Sequence, residues 1–325
     1  MKIQQLRYVV EIVNQHLNVT EAANKLYVSQ PGISKQVRLL EEELGLAIFE
    51  RNGKHIQALT PAGERIVEVA RELLVKSQSI KEIANEYTRP NYGVLRIATS
   101  NTQAQYALPP VVERFTKSYP NVGLSIQQGS PSQILSALQA NQVDLAITTE
   151  AHHLFEDLLL LPCYQWNRVI VVRQDHPLAK MQQKLTVAEL AKYPLVTYTF
   201  GFTGVSELDE AFEQNGVQPN VVLAATDADV IKTYVRLGLG VGIIASMAMT
   251  ENDKKDLVAI DASHLFRASL TQVAFKPSAF LRGYMYDFIN FFAPHLTRTA
   301  VERAEQLRDN QAIRKYFSKV QLEVK

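Results

Sequence analysis

Residues 22–63 read AANKLYVSQPGISKQVRLLEEELGLAIFERNGKHIQALTPAG, and this stretch decides the N-terminal fold. Ile33, Val37, Leu40 and Leu44 recur at helical spacing and predict one buried stripe that ends before Gly45. Ser29 is the expected cap, because its hydroxyl can accept from an amide of the first turn. Pro31 lies within that turn, where its missing N–H costs little. Upstream, Ala22, Ala23 and Leu26 form the small-residue face of a second helix, predicted to open at Thr20. Only Tyr27 and Val28 separate the two, so the pair predicts a helix-turn-helix. Ile3, Leu6, Val10 and Val13 extend the helical spacing towards the N-terminus.

Ser29, Gln30, Pro31, Ser34, Lys35 and Arg38 are the polar complement of the buried stripe and are expected to face a DNA groove. Ser and Gln can donate to and accept from base edges, and the two cations can meet phosphate or guanine. Downstream, residues 49–55 (FERNGKH) read as a turn between short extended runs, a wing whose Arg51 and Lys54 would touch the adjacent backbone. Residues 1–60 hold seven Lys or Arg against six Asp or Glu, so solvated surface charge is the competing reading. It loses ground because Glu41, Glu42 and Glu43 supply half the acid and lie past the docking end of the helix.

From 61 to about 87 the sequence has one glycine and one proline, both in its first three residues, and predicts a long helix. Ile66, Leu73, Ile80 and Tyr87 repeat every seven residues, with Val69, Ala70, Ile83 and Ala84 between them, which is a coiled-coil seam. A stripe this narrow predicts a contact with a second copy. Residues 89–93 (RPNYG) break the helix as a linker. Beyond it, short apolar runs at 94–98, 122–126, 145–147, 169–172, 221–223, 241–244 and 272–275 alternate with helical segments at 133–139, 207–214 and 229–237. This predicts α/β architecture with mainly parallel strands, followed from about Thr297 by a polar helical stretch.

Composition narrows the function. With 325 residues, 46% of them apolar and 21% charged, the chain is expected to fold as two or three globular units. A net charge of +1 neither requires nor forbids nucleic acid, so charge is informative only locally. The single Cys163 excludes an internal disulfide and a thiolate zinc cluster, and is read as a small buried hydrophobe. The N-terminus lacks the apolar run of a signal peptide, so a cytoplasmic location without membrane attachment is expected. The most membrane-like stretch, 237–249, is interrupted by glycine and is read as a buried strand. His152 and His153 lack spaced metal-ligand partners. No cofactor site, G-x-S-x-G elbow or paired acid and base is visible, so an enzyme is not expected. A solute-binding transport protein would suit the α/β half, but not the N-terminal helices.

The residues from Ala22 onwards resemble the winged helix-turn-helix of LysR-type transcriptional regulators, and TPAG resembles that family's entry into its linker helix. Further segments extend the resemblance over nearly the whole chain: IATSNTQAQYALP, QGSPSQI, LPCYQWNR, YPLVTYTFGFTG, ATDADVIKTYVRLGLGVGIIASMAM and FLRGYMYDFI. They are similar to the branch of the family that controls sulfur assimilation and cysteine synthesis, with paralogues for sulfonate sources as the alternative.

The resemblance implies an all-α winged head (1–60), a dimerising linker helix and hinge (61–92), and a two-lobed α/β effector domain (93–325) like a periplasmic binding protein. Lobe one would span about 93–163 and 268–292, lobe two about 164–267, with a helical extension over 293–325. It also implies a homotetramer that bends promoter DNA, with RNA polymerase as a candidate partner. The effector would be a small anion: an acetylated serine, sulfate or thiosulfate.

The run from 94–98 into Thr99, Ser100, Asn101, Thr102 and Gln103 places hydroxyls and amides where a strand gives way to a helix. In an open α/β sheet, ligands bind beyond the carboxyl ends of strands, and Thr148 and Thr149 end another strand at that edge. Thr203 would approach from the second lobe. By resemblance, Ser100, Thr102, Gln103, Thr149 and Thr203 occupy the effector-contacting positions, and none is charged. The branch pattern TTHTQ is TSNTQ here. Ser100 keeps a hydroxyl; Asn101 loses a titrating group. Trp166 suits either a cleft wall or a core position.

Overall fold

A computed structural model describes residues 1–53, 55–149, 152–199 and 207–325, with the side chains of 152 and 207–209 left undescribed. The chain forms two compact units, Met1–Pro90 with Ser278–Arg282, and Asn91–Pro277 with Gly283–Lys325.

The first unit opens with helices α1 (Ile3–Asn14), α2 (Val19–Leu26) and α3 (Gln30–Leu44). Leu6, Val9, Val10 and Ile12 of α1 are buried, whereas Ile3 is exposed and Val13 only half-buried, so the stripe is rotated from the predicted one. Asn18, not Thr20, caps α2: its side-chain oxygen accepts from the amides of Thr20 and Glu21. Tyr27 closes α2 in the left-handed region, and Ser29 opens α3 by accepting from Gly32 N–H at 3.2 Å. Ile33, Val37 and Leu40 are fully buried against Ala22, Ala23 and Val9. Leu44 is not; 39% of its surface is exposed, and the buried position of that turn is taken by Glu41.

The wing is a hairpin, β1 (Phe49–Asn52) against β2 (His55–Leu59), antiparallel with a bulge at Glu50/Arg51. Residues 49–52 are thus strand where a turn was expected, and the turn itself passes through Gly53 at φ +61°. The helix α4 (Pro61–Thr88) starts immediately after it. Thr60 fastens the junction: its hydroxyl donates to the Ala47 carbonyl at 2.7 Å and accepts from Gly63 N–H at 2.9 Å. A Cβ on Gly63 would stand 2.0 Å from the Ile48 carbonyl oxygen, which is why this motif carries glycine. Val67 and Ala70 complete the N-terminal core, while Val69, Leu73, Ile80, Ile83 and Tyr87 form an exposed apolar line along α4. Ile66 and Ala70 belong to the core, so only the remaining part of the predicted seam is open.

The second unit holds two five-stranded sheets. In chain order its elements are β3 (Gly93–Thr99), α5 (Pro109–Ser118), β4 (Val122–Gln128), α6 (Pro131–Gln139), β5 (Leu145–Thr148), β6 (Leu159–Trp166) and β7 (Arg168–Arg173). Then come α7 (Val187–Leu190), β8 (Pro194–Tyr198), α8 (Glu207–Gln214), β9 (Asn220–Ala225), α9 (Ala228–Arg236), β10 (Val241–Ala245) and β11 (Leu257–Asp261). The last are β12 (Ser269–Phe275), α10 (Gly283–Phe292), α11 (Arg298–Leu307) and α12 (Asn310–Phe317).

The strand orders are β4-β3-β5-β12-β6 in the first lobe and β11-β7-β10-β8-β9 in the second. The chain passes from β6 directly into β7, and returns between β11 and β12. Only half of the eight pairings in these sheets are parallel, which corrects the mainly parallel expectation. The strands that carry the chain between lobes, β6 and β7 outwards and β12 back, run against their neighbours. Each sheet is sealed by helices, as Ile231 and Val235 of α9 show beneath β10. The C-terminal stretch packs along β6: Asn310 caps its start, and Glu323 and Lys325 exchange backbone bonds with Gln165. That closes an otherwise open sheet edge.

Candidate nucleic-acid interface and effector cleft

In the head, Gln30, Ser34, Arg38 and Arg51 line one cleft of about 230 Å³ together with Gly53. Helix α3 supplies the first three at successive turns, and the wing brings Arg51 alongside. Gln30 donates to Ser34 Oγ at 3.1 Å, and Pro31 and Lys35 are exposed on the same helix. The hydroxyl of Ser29 is used in capping. Lys54 lies outside the described residues.

Sequence reading missed Glu41. It is buried, and its Oε1 accepts from the amides of Ile48 and Phe49 at 2.8 and 3.2 Å. Its Oε2 pairs with Arg51 at 2.8 Å. So Glu41 is no surface acid: it seats the first wing strand and fixes the direction of Arg51, which enters any phosphate contact already paired. No local pattern betrays this, because the amides it satisfies are seven and eight residues away.

In the second unit, β3 and β5 run parallel with Thr99 opposite Ile147, and Thr99 Oγ1 donates to the Ile147 carbonyl at 3.2 Å. Ser100 and Thr149, each just beyond its strand, therefore lie at one sheet edge. Both are half-buried. A helical turn begins at Asn101, and its first internal bond joins Ala104 N–H to the Ser100 carbonyl. The amides of Asn101, Thr102 and Gln103 have no partner within the helix. The turn from Gln103 to Ala107 is π-helical, with Leu108 N–H reaching the Gln103 carbonyl. Pro109 and Pro110 follow, and without N–H groups they cannot continue the ladder.

Thr102 Oγ1 faces the second lobe and meets Tyr198 Oη at 3.5 Å; that oxygen also accepts from Ala245 N–H at 3.2 Å. Gln103 behaves differently from its neighbours. It is 1% exposed, and its Oε1 accepts from Tyr164 Oη. Burial pushes the Tyr164 phenol well above its usual range, so it remains a donor. Thr203 lies outside the described residues. Trp166 is buried at the lobe crossover, with the Arg168 guanidinium 5.0 Å from its ring centroid and donating to Ser269 Oγ at 3.0 Å. Cys163 is buried, which raises its thiol far above the range in which it would ionise.

A separate polar cavity of about 620 Å³, lined by Gln105, Tyr106, Asp229, Lys232, Arg236 and Asp253 among others, was not foreseen from sequence. Lys232 is buried there between Asp229 and Asp253, at 2.7 Å from each. Burial opposes the charge on Asp253, but bonds from Lys232, Thr250 and Arg236 outweigh it and hold the carboxyl far below its usual range. Among the described residues no three His, Cys, Asp or Glu side chains converge as a metal site, and no helix is long and apolar enough to cross a membrane.

A winged helix-turn-helix followed by a long helix and a two-lobed α/β unit defines a class of DNA-binding regulator with a ligand-binding half. The chain belongs to the LysR family. Residues 3–64 match the bacterial regulatory helix-turn-helix protein, lysR family, and residues 89–297 match the LysR substrate binding domain. It is 68% identical over 325 residues, all of both chains, to the HTH-type transcriptional regulator CysB of Haemophilus influenzae. It is 46% identical to the HTH-type transcriptional regulator SsuR of Burkholderia cenocepacia, over 93% of this chain and 97% of that protein. Among solved structures, the cofactor-binding domain of the Cbl transcriptional regulator superposes with TM-score 0.62 at 38% identity, covering 65% of this chain and 92% of that one.

Proposed function

We propose that this protein is a promoter-binding transcriptional regulator of sulfur-assimilation and cysteine-synthesis genes, and that a small anionic effector gates it. The observation that carries this reading is the 68% identity with CysB along the entire chain, against 46% for SsuR, which favours the cysteine regulon over the sulfonate alternative. In this reading Gln30, Pro31, Ser34, Lys35 and Arg38 face the DNA groove, with Ser29 ordering the helix start and Arg51 and Lys54 of the wing near phosphate. The protein acts as a homo-oligomer, a tetramer, and the exposed line of Val69, Leu73, Ile80 and Tyr87 on α4 supplies one self-contact. It works in the cytoplasm and carries out no catalysis.

The effector, an acetylated serine, sulfate or thiosulfate, sits at the sheet edge between the lobes. Ser100, Thr102 and Thr149 offer hydroxyls, the amides of 101–103 offer donors, and Thr203 completes the set from the second lobe. Gln103 acts from beneath, through the bond that fixes it to Tyr164. A ligand that touches both lobes favours one arrangement of them and shifts the population towards it, which alters promoter bending. The test is calorimetry of the full-length protein against N-acetylserine, sulfate and thiosulfate, with promoter footprints in parallel. Thr102→Ala is expected to weaken effector binding about tenfold, the loss of one hydrogen bond to a charged group, while leaving promoter affinity without effector unchanged. Equal loss of both would overturn the assignment.

A further inference from the structure

The short turn that carries Thr102 and Gln103 also carries Gln105 and Tyr106, and these reach across to the second lobe. Gln105 Nε2 donates to Asp229 Oδ2, and Tyr106 Oη donates to Asp229 Oδ1 at 2.8 Å. The same carboxylate is held from its own side by Lys232, whose Nζ lies 2.7 Å from Oδ1. Lys232 is 1% exposed and is itself anchored by Asp253 at 2.7 Å and the Ala248 carbonyl at 2.8 Å. Asp253 is tied in turn to Arg236 at 2.8 Å. Asp229 is thus the outer end of a buried charged post in lobe two, and two side chains from lobe one are hung on it.

We propose that Asp229 is an inter-lobe latch that positions the effector-contacting turn: by bonding Gln105 and Tyr106 it holds the lobes at the separation in which Thr102 faces Tyr198. This rests on the effector site proposed above. The π-helical register links the two jobs, because a wider turn of five residues holds Gln103 inward at one end and Tyr106 outward at the other. A ligand that needs both lobes binds only the fraction of molecules already latched. Apparent affinity therefore falls in proportion when the latch is lost, although no latch residue touches the ligand. Asp229 is a positioning residue on this view, and the neighbouring charges stay compensated without it because Lys232 keeps Asp253.

The experiment uses the full-length protein, wild type and the variants Tyr106→Phe, Asp229→Ala and the double variant. Each is titrated with N-acetylserine and with sulfate by calorimetry, with the fluorescence of Trp166, the single tryptophan, as a second readout. Each single variant is expected to bind about tenfold more weakly, and the double variant no more weakly than Asp229→Ala alone, since that change already removes the bond that Tyr106→Phe breaks. A tenfold loss of the latched population is about 1.4 kcal/mol of native stability, so effector-free unfolding midpoints are expected to fall by about 3–6 °C and no further. Losses that multiply in the double variant, or a midpoint that falls by more than about 10 °C, would overturn the latch. So would wild-type affinity in Asp229→Ala while wild type itself binds. No binding by wild type to either probe would instead overturn the effector site, and the latch with it.

Discussion

Replacing Glu41 by alanine tests the least expected feature of the head. Its carboxylate is the side-chain acceptor for the amides of Ile48 and Phe49, which are 0% and 1% exposed. Alanine leaves both donors buried and unmet, at about 1–3 kcal/mol each, so the variant should lose roughly 2–6 kcal/mol. The lower half of that range is favoured because the Phe49 bond is the longer one. The ion pair with Arg51 adds little, since Arg51 is 31% exposed and its charge is screened by water. Glutamine, which keeps one acceptor, should lose about 1 kcal/mol. Hydrogen exchange of residues 45–60 in the full-length protein is the direct assay. Protection there should fall about 30-fold or more in Glu41→Ala, with weaker promoter binding as the wing detaches. Protection within threefold of wild type would refute the claim that this carboxylate seats the wing.

Three further outcomes are expected. Arg38→Ala should weaken promoter binding and reduce its salt slope by about one, checked by titration at several salt concentrations. Gly63→Ala drives a methyl into the Ile48 carbonyl and should cost about 3 kcal/mol or more, read from urea unfolding of the head. The third concerns acid. Asp253 has a folded pKa depressed below its unfolded value of about 3.9, so its stabilising contribution is complete above that pH and fades as pH falls through the folded value. Unfolding of the effector half should therefore ease on acidification below about pH 4, and Asp253→Asn should flatten that dependence.

Much of the head was legible because each of its decisions is local. Ser29 caps α3 through an amide three residues on, and Ile33, Val37 and Leu40 share a face by helical period alone. The same period overshot at Leu44, where the wing's need for an acceptor put Glu41 inside. Strand direction in the effector half was misread because nothing in a short apolar run records which way its neighbour runs. The candidate cleft divides similarly. Ser100 and Thr149 follow from the rule that ligands gather at strand ends. That Gln103 is turned inward depends on Tyr164, sixty-one residues away, and Tyr198 and Asp229 come from still more distant segments.

The junction at Thr60 and Gly63 has a mechanical side. Since the carbonyls of Ala47 and Ile48, which lead directly into the hairpin, press on the first turn of α4, a roll of the long helix about its axis pulls on the hairpin's base. Helix and hairpin therefore behave as one rigid crank. A torque on the start of that 28-residue helix is thereby passed to the hairpin strand that carries Arg51.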